Sequence, residues 1–339
     1  MAKILLIGDP HLKITKFELA QKFLSWINFL IIEEKPDLVV NLGDTFDTHA
    51  VLRSEVMSEF MEHVKSTLKT CPYIYVIGNH DQYKPNDNKY HALSHLKNTI
   101  KDFTIIDEIT DIGDITYVPY VHDQSLFPKK TKTICIAHQT FKGADYGSLL
   151  ALDGIDPSTI DGAELIISGH IHKKQDLQSS NGNIRIVYPG TPFSQSASDV
   201  DQIKGISIFD TDTFNFRFVQ SPMPMWYSIN FEYSDTLGSE ELHLELAKTL
   251  NNKDNWVIEI IGPKTEIVAY LDSKEYKSLI KDKNIKLKTK FNDKNKKKIK
   301  ITATTIKDIV DQYIDKVYSG NLDKETLKIK AKQIMATVE

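Results

Sequence analysis

Five short segments of the chain combine aspartate, asparagine or histidine, mostly beside glycine, and these are residue types that bind metal ions and transfer protons. They lie far apart in the sequence, and each follows a run of apolar residues. The segments are Gly8-Asp9-Pro10-His11, Gly43-Asp44, Gly78-Asn79-His80-Asp81, His138 and Gly169-His170-Ile171-His172. Carboxylate and amide oxygens suit hard divalent cations, whereas imidazole suits manganese, iron or zinc. The mixture predicts a centre with two divalent ions.

The chemistry expected of such a centre is phosphoester hydrolysis. Two ions about 3.5–4 Å apart can hold a phosphate, activate a water molecule and stabilise the leaving oxygen. One carboxylate should then bridge both ions. Each segment alone is weak evidence, because Gly-Asp is usually a turn and a lone buried histidine is usually structural. The ordered set, with each segment at the end of a predicted strand, favours the metal hypothesis.

Alternating apolar runs and helical patterns predict an α/β core that positions these segments. Residues 3–8, 37–41 and 73–77 have the continuous apolar character of strands covered on both faces. Helical spacing of apolar residues predicts helices at 17–32 and 54–68. In open α/β sheets, ligands gather beyond the carboxyl ends of the strands, where distant loops meet. The five segments are therefore expected to converge at one edge.

Beyond residue 100, short strands dominate and predict a second sheet packed on the first. The predicted strands are Phe103–Ile106, Asp114–Val118, Thr133–Ala137, Leu165–Ser168, Arg185–Tyr188, Ile206–Phe209 and Asn215–Val219. Two prolines within 221–225 then disfavour continuation of a helix or central strand. The division expected is a catalytic domain at 1–220, a small α+β capping domain at 221–291, a Lys-rich linker at 292–304 and a helical hairpin at 305–339.

Charge is unevenly distributed around this boundary. The chain carries a net charge of −4, yet residues 274–300 hold 12 Lys against three acidic residues, or about +9. This stretch is either a solvated face or a surface that contacts phosphate groups. The helical hairpin either docks on its own chain or binds a partner.

Composition places the chain among soluble globular proteins, with 41% hydrophobic and 26% charged residues. No apolar stretch approaches the roughly 18 residues that cross a bilayer, and no export signal is recognised at residues 1–8. The two cysteines, Cys71 and Cys135, make no disulfide framework. A cytoplasmic protein without membrane contact is expected.

The five segments resemble, in kind and in order, the motifs of the calcineurin-like metallophosphoesterase superfamily across residues 4–220. The resemblance implies an α/β fold: a four-layer α/β/β/α sandwich, extended here by the capping domain and the helical hairpin. It implies that one ion is held by Asp9, His11 and His172, the other by Asn79, His138 and His170, with Asp44 bridging them. His80 is implied to be the proton donor. Asp47 and Asp81 are candidates for orienting the imidazoles, or are turn-capping carboxylates.

A narrower resemblance links the chain to the nuclease subunits of SbcCD-type DNA repair complexes, and especially to phage recombination nuclease subunits. It rests on the segments 43–47, 169–173 and 188–192 and on the order of core, cap and helical pair. It implies a DNA exonuclease and endonuclease with two divalent ions, Mn²⁺ or Mg²⁺. It also implies that residues 305–337 bind an SMC-like ATPase, with a homodimer inside a heterotetramer. Lys13 departs from the glycine found at that position in many relatives.

Two alternatives remain at this stage. Fold and metals do not select a substrate, so a metallophosphatase or a phosphodiesterase for small substrates has the same core. A non-catalytic assembly subunit would also keep the fold, although the complete set of ligand types argues against lost chemistry.

Overall fold

The computed structural model describes residues 2–47, 51–84, 87–147, 149–233, 239–250, 254–291, 310–311, 313–315 and 323–335. Two six-stranded sheets form the larger part of this structure. Their strands are β1 (Lys3–Ile7), β2 (Leu38–Asn41), β3 (Tyr73–Val76), β4 (Phe103–Ile106), β5 (Thr110–Ile112), β6 (Ile115–Val118), β7 (Ile134–His138), β8 (Leu165–Gly169), β9 (Gln175–Gln178), β10 (Arg185–Tyr188), β11 (Gly205–Asp210) and β12 (Phe216–Gln220).

The first sheet has the order β12-β11-β1-β2-β3-β4, and its strands β1 to β4 are parallel. Helices α1 (Phe17–Glu34) and α2 (Ser54–Thr67) connect β1 to β2 and β2 to β3. Both helices bury apolar residues such as Phe23 and Phe60 in one cluster with the outer face of this sheet. The predicted succession of strands and helices is confirmed here.

The second sheet has the order β5-β6-β7-β8-β10-β9, with parallel central strands and antiparallel edges. Side chains from both sheets, including Leu6 and Ile167, form the cluster between them. The other face of the second sheet is covered mostly by connecting segments, whose Phe127, Phe141 and Ile155 complete a third cluster. The layered α/β fold class is confirmed, and its fourth layer is built here largely from loops and 3-10 turns.

A separate three-stranded parallel sheet follows the two prolines within 221–225. Its elements are β13 (Trp226–Glu232), α3 (Ser239–Thr249), β14 (Asn255–Gly262), α4 (Lys264–Asp272), α5 (Lys274–Ile280) and β15 (Asn284–Phe291). They enclose their own apolar cluster around Leu246 and Ile258. Asp201 connects this unit to the larger sheets, because its carboxylate accepts the Ser228 amide of β13 at 3.1 Å and its own amide donates to the Trp226 carbonyl at 2.8 Å.

Two helical pieces of the C-terminal region are described. Residues 310–311 and 313–315 are helical, and α6 spans Lys324–Met335. The Lys328 ammonium lies 2.6 Å from a carboxylate oxygen of Asp315, so the two pieces contact each other. The linker at 292–304 lies outside the described residues, and the division into domains stays a prediction.

Candidate metal centre

The five predicted segments meet at the carboxyl edge of the two large sheets. Asp9 follows β1, Asp44 follows β2, Asn79 follows β3, and β7 and β8 end at His138 and Gly169. All seven predicted ligands lie at this edge, and hydrogen bonds or ion pairs connect each of them to at least one other.

One half of the cluster consists of Asp44, Asn79, His138 and His170. Nε2 of His138 lies 3.3 Å from an oxygen of Asp44 and 3.1 Å from Oδ1 of Asn79. Nδ1 of His170 lies 2.7 Å from the same oxygen of Asn79. On the far side of its ring, His138 Nδ1 lies 2.6 Å from the Leu42 carbonyl, to which it donates. That hydrogen bond leaves Nε2 directed into the cluster.

The other half consists of His11, His172 and Asp9. The Nε2 atoms of His11 and His172 lie 3.0 Å apart, and Nε2 of His11 is 3.8 Å from Asp44 Oδ2. The carboxylate of Asp9 accepts the His170 amide at 3.1 and 3.0 Å and lies 3.5 Å from Nδ1 of His138. Asp9 thus contacts the residues of the first half, and Asp44 faces both halves.

Burial makes the protonation of these groups unequal. Desolvation lowers the pKa of His11 and of His170 to about 3, so both imidazoles are neutral at physiological pH. Burial also disfavours charge on His138, but Asp44 and Asp9 outweigh it and raise the pKa of His138 to about 9. Against the same burial, His138 holds the pKa of the Asp44 carboxyl well below its usual range. The cluster therefore stabilises positive charge at its centre.

The backbone of the cluster adopts conformations that side chains rarely permit. His11, Asp44 and His170 have positive φ angles of 44°, 51° and 81°. Such conformations cost free energy and persist where the surroundings impose them, commonly at functional sites. At Gly169, a Cβ atom would lie 2.6 Å from the Leu42 carbonyl oxygen and 2.8 Å from an oxygen of Asp9. Glycine is therefore required for the close approach of these segments.

His80 lies beside the cluster, with its amide donating to Asp44 Oδ1 at 2.7 Å. Its Nδ1 lies 3.1 Å from the Asp47 carbonyl, and its ring packs edge-on against His11 with centroids 4.8 Å apart. The Asp47 carboxylate pairs with Lys13 at 2.7 Å and lies 3.9 Å from Nδ1 of His11. Asp47 therefore contacts both imidazoles, one through its carbonyl and one, more distantly, through its carboxylate.

Asp81 stabilises the backbone of the centre. One of its oxygens accepts the amides of Asp44 and Gly78, each at 2.9 Å, and the other accepts the Tyr75 hydroxyl at 2.8 Å. Burial and the neighbouring Asp44 raise the pKa of Asp81 to about 7. These contacts fix the turns that carry Asp44 and Asn79, which is the turn-capping alternative of the two that the sequence left open for Asp81.

The donor atoms fit divalent metal ions. Asp44 forms one group of converging donors with His11 and His80, and another with His138 and His170, with all atoms of each group within 4.8 Å of one another. The Nε2 atoms of His11 and His172 face each other, and a bound cation would coordinate the lone pairs of these nitrogens. In the first group, the geometry also places His80 within reach of an ion, although the resemblance implies a separate role.

The comparison with family models matches residues 2–174 to the calcineurin-like phosphoesterase model. The chain belongs to the calcineurin-like phosphoesterase family. This family uses divalent metal ions, and membership makes the chain a phosphoester hydrolase. The matched region contains the five segments and strands β1 to β8 of the two six-stranded sheets.

The similarity to individual proteins extends beyond this region. The 078R protein of Invertebrate iridescent virus 3, named as a phosphoesterase, is 24% identical over 298 residues, covering 82% of each chain. Exonuclease subunit 1 of Enterobacteria phage T4 is 21% identical over 262 residues, covering 70% of this chain and 74% of that protein. The nuclease MPE of Pseudomonas putida aligns with a TM-score of 0.31 and 14% identity, covering 61% of this chain and 83% of that structure, and no residue correspondence follows from it.

Two residues of this phosphoesterase centre are not predicted by the sequence. The centroid of the Tyr120 ring lies 5.5 Å from that of His170. The position of Tyr120 just beyond the end of β6 is the sequence feature that could have placed it at the centre. Lys204 is 1% exposed, and its ammonium donates to the His172 carbonyl at 2.8 Å and to Asp199 at 3.0 Å. A lysine before a strand gives no signal of such burial.

Within the described part of the chain, no helix has both the length and the apolar character needed to cross a membrane.

Proposed function

We propose that the chain is a two-metal DNA nuclease that hydrolyses phosphodiesters at DNA ends and within strands. The observation that carries the proposal is the position of Asp44, whose carboxylate faces His11 at 3.8 Å and His138 at 3.3 Å. One carboxylate between two sets of donors is the arrangement that two ions require.

In this proposal, the ligands are divided as the two halves of the cluster. Asp9, His11 and His172 hold one ion, Asn79, His138 and His170 hold the other, and Asp44 is shared. Two bound divalent ions, with Mn²⁺ favoured over Mg²⁺ by the imidazoles, supply charge that activates water and stabilises a phosphate. Leu42 and Asp81 fix the donors by holding an imidazole and a backbone turn, respectively.

His80 acts as the proton donor to the departing oxygen. Its Nδ1 donates to the Asp47 carbonyl at 3.1 Å, which orients the ring, and we assign the proton exchange with substrate to Nε2. The ring is half-buried, so a substrate can reach it. The Lys13–Asp47 ion pair fixes the loop whose carbonyl orients this imidazole.

DNA as the substrate is supported by charge and by the phage relative. Lys286, Lys288 and Lys290 are exposed on the edge strand β15, and alternation along a strand places all three on one face. Successive ammonium groups are then roughly 7 Å apart along the strand. Lysines in such a row contact phosphates without reading sequence. The similarity to an exonuclease subunit over 70% of this chain supports the same substrate class.

The same relative is named as a subunit, which supports a partner for this chain. We assign an SMC-like ATPase to the helical region 305–337, of which 310–311, 313–315 and α6 are described. A homodimer within a heterotetramer, working in the cytoplasm (the host cytoplasm for a phage protein) in DNA recombination or repair, completes the proposal.

Substrate class is tested with the full chain and Mn²⁺. Linear duplex DNA, single-stranded DNA, closed circular single strands and p-nitrophenyl phosphate are offered in parallel, with EDTA as the control. Cleavage of linear and circular DNA with little phosphomonoester hydrolysis is expected. Preference for the monoester would instead identify a metallophosphatase, and inactivity on every substrate with two ions bound would identify a non-catalytic assembly subunit.

The role of His80 is tested with His80→Asn. General acid catalysis contributes about 10²–10⁴-fold, so DNA cleavage is expected to fall by that factor. Calorimetry should still detect two Mn²⁺ ions, because His80 is not among the seven assigned ligands. His243→Asn serves as the matched control, because His243 is a half-buried histidine on helix α3 of the smaller, three-stranded unit. Loss of an ion in His80→Asn would make His80 a ligand, and unchanged cleavage would remove it from the mechanism.

A further inference from the structure

Two exposed tyrosines lie on a short antiparallel ladder beside the proposed proton donor. Tyr83 is 61% exposed, Tyr90 is 56% exposed, and Tyr83 is three residues beyond His80. The Tyr83 amide donates to the Tyr90 carbonyl at 2.9 Å, and the amide of Ala92 donates to the carbonyl of Asp81 at 2.8 Å. The ladder therefore holds both aromatic rings at a defined position relative to the metal centre.

Two cavities that share Leu52 lie beside these rings and beside Asp47. Tyr83, Tyr90 and Leu52 line a cavity of about 460 Å³. Leu52 also lines a neighbouring cavity of about 220 Å³, whose wall includes Lys13 and Asp47. Asp47 in turn contacts His80 through its carbonyl at 3.1 Å. Leu52 and Asp47 thus connect the surface of the aromatic pair to the proposed proton donor.

Cations lie beside the rings and in the wall of the second cavity. The Lys89 ammonium lies 5.2 Å from the centroid of the Tyr90 ring, where a cation–π interaction is favourable. Arg53, which lines the second cavity, and Lys84, which follows Tyr83 in the chain, have side chains that are 55% and 64% exposed. Three acidic residues accompany the basic ones: Asp47 beside Lys13, Glu55 beside Arg53, and Asp87 beside Lys84.

We infer that this surface binds the unpaired bases of a substrate strand, with Tyr83 and Tyr90 as stacking platforms. The inference rests on the proposed nuclease function and extends it to single-stranded DNA next to the cleaved phosphate. Aromatic rings between cations are the features by which proteins bind single strands without sequence preference, because every base has a π-face. The cations then contact the phosphates that link the stacked bases.

A second copy of the chain fits this surface less well. The centre of a protein interface is depleted of lysine, because desolvating an ammonium group is costly. Here Lys89 lies over the ring of Tyr90, so covering that ring with protein would bury the ammonium as well. A strand of DNA brings phosphate groups that neutralise it.

The test is equilibrium binding of a fluorescein-labelled 12-nucleotide single strand to the full chain in EDTA, measured by anisotropy. Tyr83→Ala and Tyr90→Ala are each expected to weaken binding about tenfold, and the double variant about a hundredfold. Tyr83→Phe and Tyr90→Phe keep the stacking ring and should bind within about threefold of the parent. Phe29→Ala is the matched control, since Phe29 is an exposed aromatic residue (54%) in the C-terminal half of α1, which runs from the carboxyl edge back to the start of β2.

Binding and cleavage separate the two proposals. Ring-dependent binding without cleavage in Mn²⁺ would overturn the nuclease function and keep the platform. Cleavage by a double Ala variant that binds the strand like the parent would overturn the platform and keep the nuclease.

The double variant should hydrolyse bis(p-nitrophenyl) phosphate at the parental rate, and a slower rate would place the tyrosines in support of the metal centre instead. A shift from dimer to monomer in sedimentation with unchanged strand affinity, or a parent that binds no strand, would also overturn the inference.

Discussion

Two buried histidines, His138 at the metal centre and His63 in helix α2, show how differently the same side chain behaves in two regions of the molecule. They are 0% and 2% exposed, and burial disfavours the charged form of both. The pKa of His63 falls to about 4, whereas Asp44 and Asp9 raise that of His138 to about 9. The neighbouring carboxylates, and not burial, account for the difference.

The partners of the two rings explain why only one of these two regions has donors that fit a cation. His63 directs Nδ1 to the Asn28 side chain at 2.6 Å and packs against Phe60 and Tyr73 in the layer between helix and sheet. His138 instead directs Nε2 to the oxygens of Asp44 and Asn79. A buried imidazole therefore indicates a metal site only where carboxylate and amide oxygens converge on it.

The largest expected effect comes from removing the charge that distinguishes the two regions. Asp44→Asn takes away the carboxylate that faces both halves of the centre, so two-ion binding should fall to one ion or none. Loss of several kcal/mol of transition-state stabilisation corresponds to about a thousandfold slower hydrolysis. Calorimetric titration with Mn²⁺ and hydrolysis of bis(p-nitrophenyl) phosphate measure both effects.

Asp176→Asn is the matched control for Asp44→Asn, since Asp176 is an exposed carboxylate that pairs with Arg185 on the second sheet. It should leave both measurements unchanged. Two ions bound to Asp44→Asn with parental affinity would contradict the bridging role and weaken the contrast with His63.

The next effect tests whether Lys204 stabilises the loop that carries His172 at the metal centre. Lys204 connects the His172 carbonyl to Asp199, which in turn accepts the Gln195 amide at 2.7 Å. Lys204→Met keeps most of the volume but leaves a buried carboxylate without its cation, which costs about 3–5 kcal/mol of unfolding free energy. Thermal and urea unfolding measure the loss, and Mn²⁺ affinity should fall because the loop of His172 loses a contact.

Lys132→Met is the control for Lys204→Met, because the side chain of Lys132 is half-exposed beside Asp111 at 3.9 Å. Exposed pairs contribute about 0–1 kcal/mol. If Lys204→Met unfolded like this control and bound Mn²⁺ like the parent, Lys204 would have no positioning role.

Periodicity predicts the elements that bury apolar faces and fails for those that do not. The strands β1 to β4 and helices α1 and α2 lie within a few residues of their predicted positions, because each has a continuous or helically spaced apolar pattern. The strands β5 and β9 are not predicted. Both are sheet edges with polar sequences, Thr-Asp-Ile and Gln-Asp-Leu-Gln, so no apolar alternation marks them.

The residues of the site are predictable because strand ends limit where they can lie, but their contacts are not. Asp9 and His170 are 161 positions apart, and the hydrogen bond between the Asp9 carboxylate and the His170 amide follows from the packing of two sheets. The backbone role of Asp81 and the burial of Lys204 depend equally on tertiary approach. Residue type and local order identify candidate ligands, whereas folding decides which atoms they meet.

The smallest effect concerns His63, the other histidine of the comparison. Because it is neutral in the folded chain, it makes the free energy of unfolding depend on pH. Its pKa is about 4 in the folded chain and about 6.5 when unfolded, so between these values protons bind the unfolded chain preferentially. The free energy of unfolding is therefore unaffected by His63 above pH 6.5 and falls by about 3 kcal/mol as the pH drops to 4.

Urea unfolding of the parent and of His63→Gln at pH 7.5, 6 and 5 isolates this contribution from that of the carboxylates. The amide of His63→Gln can still meet Asn28 but does not titrate, so the variant should lose less stability on acidification than the parent. Equal losses in both proteins would mean that His63 is protonated in the folded state, and the contrast with His138 would disappear.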